Sequence, residues 1–241
     1  MPKVFRQFPD GWPADQVADY FDKAISNLVG TTQADGPAYP TIIEIDSIFR
    51  NLVAGLTNTE SIMEAVLLMR AHSAVLAGNM LAMGGQATES FMVFRGVLEN
   101  ALYALHMHKR GVWEIWINRH LDDASLKKSR DEFSYGNVAR TLQETNAEIG
   151  QVASELYQRT IDFGAHPNER AATSSMQIID ADDKKTIKQN YLSGGTMPQV
   201  HALKSGCQIG VCALDIFRIV FVHRFDILGL RERLDELKRN L

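Results

Sequence analysis

The residue types best suited to chemistry lie in Glu155-Leu-Tyr-Gln-Arg-Thr-Ile-Asp-Phe-Gly-Ala-His166-Pro167-Asn168. Arg159 and His166 are seven positions apart, about two helical turns, so an unbroken helix would carry both on one face. Metal-independent RNA cleavage needs groups that activate a ribose 2′-hydroxyl, protonate the leaving oxygen and neutralise the phosphate. Histidine titrates near neutrality and arginine forks onto phosphate, so this pair suits that task. A structural reading competes with it. Arg159 can pair with Glu155 one turn earlier, and His166 can cap the helix end or fill a polar niche. Pro167 supplies no amide donor and disfavours helical backbone in the residue before it, so the helix should stop near His166.

A second constellation is Arg95 with Glu99, one turn apart on an otherwise apolar segment. A pair facing the core needs mutual satisfaction and further hydrogen bonds, because an isolated buried charge is costly. His166 or Arg159 is the natural third partner, and the set would be a register-fixing polar network or the floor of a ligand pocket. Metal binding has less support. Glu99, His106 and His166 could gather in a bundle, but the chain lacks Glu-x-x-His and a supported His-x-x-x-His. His106 and His108 point in different directions on a helix, and with Lys109 and Arg110 they suit its C-terminal dipole. Gly-x-Ser-x-Gly, Gly-x-Gly-x-x-Gly and the phosphate-binding Walker pattern are all absent. The two cysteines, Cys207 and Cys212, are five apart and about 140° off one another on a helix, which suits neither a disulfide nor a metal pair. They read as buried thiols in a reducing compartment.

These side chains must be positioned by a chain of 241 residues, enough for one sizeable core. A net charge of −4 gives no global reason to bind nucleic acid or membrane. No apolar segment of signal-peptide length opens the chain, and charges interrupt both long apolar runs, 63–83 and 200–222. The expectation is a soluble cytoplasmic protein without a membrane segment. Phe5, Phe8 and Trp12 belong to an irregular arm, and a first helix should start at Pro13, carry Val17 and Phe21 inward, and end at Gly30. Residues 31–40 read as a loop. Helices follow from about 41, from about 60 with Asn58 and Thr59 as caps, and from about 88 to 110 with Met92, Val93, Gly96, Val97 and Ala101 as its stripe. Shorter helices cover 112–121 and the stretch to 144, and another runs to His166. Ser175–Asp180 and Thr186–Tyr191 alternate as a β-hairpin around a turn at 181–184. A long helix from about Pro198 to Arg224 then uses Val200, Leu203, Cys207 and Val211, with Gly206, Gly210 and Ala213 allowing close approach of a neighbouring backbone. A final helix spans 230–241.

Two stretches carry a family likeness. Phe94-Arg-Gly-Val-Leu-Glu99-Asn-Ala-Leu-Tyr103 resembles the Arg-x-x-x-Glu helix of HEPN-like bacterial proteins, and Leu156-Tyr157 through His166-Pro167-Asn168 resembles their helix ending in His-Pro-Asn. The likeness spans about residues 60–224. It implies an up-and-down helical bundle, commonly a homodimer, with a hairpin and a long helix after the His-Pro-Asn turn. It also implies that some members cleave RNA through Arg-x(4–6)-His, while many are inert binding or assembly domains. Six residues separate Arg159 from His166, the long end of that range, and Thr160 stands where active members place Asn, Asp or His.

The expectation is therefore a mostly α, HEPN-like bundle with a small hairpin before a long C-terminal helix, as one domain over 1–241. Residues 1–58 would form an N-terminal appendage on a bundle of 59–241. Function divides between a non-catalytic binding or assembly module and an RNA-cleaving enzyme. The candidate catalytic residues are Arg159 and His166; Arg95, Glu99, Tyr157 and Asn168 are the candidate ligand or network residues. No cofactor and no metal are expected; RNA and a second copy of the chain are the candidate partners.

Overall fold

Three long helices carry the core: α3 (Ile62–Met83), α4 (Ala87–Arg110) and α10 (Met197–Val220). The computed structural model describes residues 11, 13–34, 36–56, 62–181 and 184–241. The expected arm with Phe5, Phe8 and Trp12, the caps Asn58 and Thr59, and the hairpin residues 182–183 lie outside them. Around the core helices stand α1 (Gln16–Gln33), α2 (Ala38–Val53), the short α5 (Trp113–Ile117), α6 (Asp123–Glu132), α7 (Tyr135–Thr145) and α8 (Ala147–Thr160). A π-helical turn (Ile161–Ala165) extends α8, and α9 (Glu169–Thr173) follows. Strands β1 (Met176–Ala181) and β2 (Lys184–Gln189) pair antiparallel, with Ile178 opposite Ile187. The short α11 (Val222–Ile227) and then α12 (Leu230–Arg239) end the chain. A mostly α bundle with a hairpin before its last helices is the observed fold.

Local chemistry sets the helix ends, and several differ from expectation. Asp15, not Pro13, starts α1: its Oδ1 accepts from the amides of Val17 and Ala18 at 2.9 Å each. The helix passes through Gly30 to Gln33, and α2 starts at Ala38, so the loop expected over 31–40 is shorter. Val17 and Phe21, expected to face inward, are exposed. Val97 and Ala101 of the expected α4 stripe are buried, but at its start Phe91 and Phe94 are buried while Met92 is exposed. Packing on two sides, against α3 and α10, selects the face with the large rings. Val200 is likewise exposed, and the buried apolar face of α10 begins at Ala202 and Leu203.

The ring of Phe94 occupies a slot made by glycines on two other helices. A Cβ at Gly78 on α3 would come 2.5 Å from its Cε1, and one at Gly206 on α10 would overlap its Cζ. The long helix expected to reach Arg224 breaks at Phe221. The break sends Arg224 to the carbonyl end of α2, where Nε donates to Leu52 O at 2.7 Å. That cation satisfies carbonyls a helix end leaves unpaired. Helix α2 is part of the core and not an appendage: Ile45, Ile48, Phe49 and Leu52 are fully buried with the side chains of α3 and α10. Helix α3 is long and apolar enough by composition to cross a membrane, and 44% of that stretch is buried inside the protein.

Candidate functional site

At the end of α8 a π turn adds a residue to the helical count, so the two-turn spacing of Arg159 and His166 no longer fixes a shared face. Gly164 makes the turn fit, because a Cβ there would overlap Thr88 O on α4. Asn168 then locks it: its Nδ2 donates to Ile161 O at 2.7 Å and to His166 O at 3.2 Å. Its Oδ1 accepts from Ala171 N at 2.9 Å and caps α9. Asn168 therefore builds the turn.

His166, so placed, meets Arg95. Arg95 Nη1 lies 2.8 Å from His166 Nε2, and its Nε donates to Glu99 Oε1 at 2.7 Å. Arginine carries no acceptor, so His166 Nε2 accepts and the ring proton sits on Nδ1. The guanidinium lies 5.0 Å from the centroid of the Tyr157 ring, within cation–π range. Tyr157 Oη completes the cluster by donating to Glu99 Oε1 at 3.3 Å. Burial and the Glu99 carboxylate push the Tyr157 hydroxyl up to about 12, so it stays a protonated donor through the neutral range. Tyr135 stacks on Tyr157 with ring centroids 3.7 Å apart.

The network joining α4 to the end of α8 is thus assembled from Arg95, Glu99, His166 and Tyr157. It differs from the expected network in burial. Tyr157 is buried, but Arg95 and Glu99 are half-exposed and His166 is exposed. The cluster is a clamp at the protein's surface.

Arg159 goes elsewhere. Its Nη1 donates to Gln208 Oε1 at 2.6 Å, with Ser205 Oγ at 3.5 Å, both on α10. It makes no ion pair with Glu155, whose Oε1 accepts from Gln151 at 3.1 Å. The two candidate catalytic residues therefore bond to different helices.

Other chemistry-bearing groups are used structurally. Buried His106 bridges Thr141 Oγ1 at 2.8 Å and Glu132 Oε1 at 3.0 Å, joining α4 to α7 and α6. Both cysteines are buried free thiols pushed up to about 12 by desolvation, which keeps them protonated and unreactive. Among the described residues no three His, Cys, Asp or Glu side chains gather as metal ligands would.

Sequence reasoning missed Gln199, a buried amide in the first turn of α10. Its Nε2 donates to Met83 O at 2.9 Å and Ala82 O at 3.1 Å, and its Oε1 accepts from Gly195 N at 2.8 Å. Beside it Asn27 Nδ2 donates to Gly84 O at 3.1 Å. A lone Gln after a Gly-Gly pair leaves no periodic signal. His201 was missed as well: its ring packs 4.5 Å from that of Phe163.

Fold and site together define a helical bundle whose surface polar residues tie a π-turned helix end to a central helix. No protein-family model, curated protein or solved structure matches the chain.

Proposed function

We propose that the protein is a HEPN-like, non-catalytic binding or assembly module of the cytoplasm, in which the Arg95–Glu99–Tyr157–His166 cluster holds the end of α8 on α4. The observation that carries this reading is the 2.8 Å bond from Arg95 to His166, with Arg159 turned instead to Gln208. An acid–base histidine must reach the proton it moves, and here its Nε2 is occupied by a cation that fixes the turn. Self-association through a helix face belongs to the same reading. Ile62, Met69, Leu76 and Met80 form an exposed apolar strip along α3, which supports a homodimer testable by sedimentation.

One observation favours the second reading, a metal-independent endoribonuclease. His166 is exposed beside a guanidinium, an arrangement that could admit an RNA phosphate. In that reading Arg95 takes the phosphate role first assigned to Arg159. Cleavage of RNA by purified protein, with and without His166→Ala, separates the two. The module reading expects no cleavage by the parent and a lowered melting temperature in the variant. Cleavage abolished by His166→Ala at an unchanged melting temperature would overturn it in favour of the enzyme.

A further inference from the structure

A cleft of about 270 Å³ lies between α8, α10 and Lys238 of α12, away from the His166 clamp. Its walls include the buried side chains of Ile149, Leu156, Val211 and Cys212. That volume is near the low end of small-molecule sites, roughly 300 Å³ and above, and suits a ligand of amino-acid size.

The charges around it are unevenly satisfied. Asp215 is buried and neutralised by Arg218 at 2.8 Å and Lys238 at 2.6 Å. Arg159 is half-buried, and its only hydrogen bonds among the described residues are from Nη1, to the neutral Gln208 and Ser205. Among the described residues no carboxylate lies within 4.0 Å of it. Its Nε and Nη2 remain as a free donor fork, the geometry that takes a carboxylate with two parallel bonds. Glu155 and Glu148 stand exposed on the rim of the same cleft, one turn and three turns before Arg159.

Simple ions fit this arrangement poorly. A monoanion would satisfy the fork but face two rim carboxylates. A monocation would satisfy the glutamates and leave a half-buried guanidinium without a counter-charge. Side chains four apart on a helix sit roughly 5–6 Å apart at Cβ, so an ammonium and a carboxylate on one carbon can reach Glu155 and Arg159 together. We propose that the cleft binds a small apolar α-amino acid, with its carboxylate on the Arg159 fork, its ammonium against Glu155 and its side chain over Leu156 and Val211. The inference is independent of the His166 clamp and of whether the protein cleaves RNA.

Titration calorimetry of the full chain tests it, with L-leucine and L-phenylalanine set against 4-methylpentanoate, which lacks the ammonium, and L-leucinamide, which lacks the carboxylate. At least one amino acid should bind, and L-leucine should exceed both analogues by about tenfold or more. Arg159→Gln should abolish the preference over leucinamide, and Glu155→Gln the preference over 4-methylpentanoate. Glu155 is exposed, so its variant decides the matter even where Arg159→Gln fails to fold. Three results would each overturn the proposal. One is no heat from either amino acid at about 10 mM ligand with an intact melting curve. The second is 4-methylpentanoate or leucinamide binding as tightly as leucine. The third is leucine binding unchanged in folded Arg159→Gln or in Glu155→Gln.

Discussion

At Arg95 one guanidinium serves an ion pair, a histidine and an aromatic face, and all three contacts are partly open to water. Screening keeps each of them small, so their sum is what matters. Arg95→Ala should lower stability by about 1–2 kcal/mol, combining a cation–π contact with two charge-assisted hydrogen bonds; urea unfolding of the variant measures it. A second residue-scale effect comes from His201. Burial lowers the pKa of its imidazole, and the nearby Arg159 cation lowers it further. The unfolded chain then binds this proton more tightly than the folded one, so stability rises with pH through the window below about 6.5. Melting temperature should fall as pH is lowered from neutrality, and His201→Gln should remove part of that fall. The pairing of Arg95 with Glu99 was legible because one helical turn is a short and rigid ruler. The parting of Arg159 and His166 was not, because the single π turn between them changes the phase of the helix and leaves no mark in composition or periodicity.

Among elements, Phe94 explains why α3, α4 and α10 pack as closely as they do. At Gly206 and Gly210, where a neighbouring backbone was expected, side chains fill the space: added Cβ atoms would press on Phe94 and Asn79 in one case and on Ile45, at 3.1 Å, in the other. Gly206→Ala should therefore destabilise by about 1–3 kcal/mol through overpacking, and thermal unfolding would show it. The longer helices were legible from apolar periodicity and from Gly and Pro breaks, whereas the short α9 and α11 were not. Which side chain turns inward at the start of α4 was not, since Met92 and Phe91 are both apolar and only the three-helix geometry chooses between them. The helix break at Phe221 was hidden for the same reason. It brings Arg224 to the carbonyl end of α2, far away in sequence.

For the whole molecule, the division expected at residue 58 does not separate two cores, because Ile45, Ile48 and Phe49 lie in the same interior as Leu98 and Phe217. Removing residues 1–58 should abolish cooperative thermal unfolding, as scanning calorimetry would record. An intact, sharp transition would restore the appendage. The tie among Asn27, Gly84 and Gln199 has the same effect at the other side of the bundle, joining α1, the α3–α4 turn and α10 through one half-buried and one buried amide. Such a tie is costly to break because each unpaired buried group loses its water as well.

The β1–β2 ribbon contributes little to this interior: Ile178 and Ile187 on one face, and Ile179 on the other, are all exposed. A lone two-stranded hairpin is marginal in water. Covalent continuity between α9 and α10 is therefore dispensable once the chain has folded. Limited proteolysis should nick the ribbon first, and the two pieces should co-elute as one folded particle. The piece running from the ribbon to Leu241 would be held by the buried face of α10, by Phe225, Leu230 and Leu234, and by Arg224 and Arg233 on α2, as the second part of a split protein.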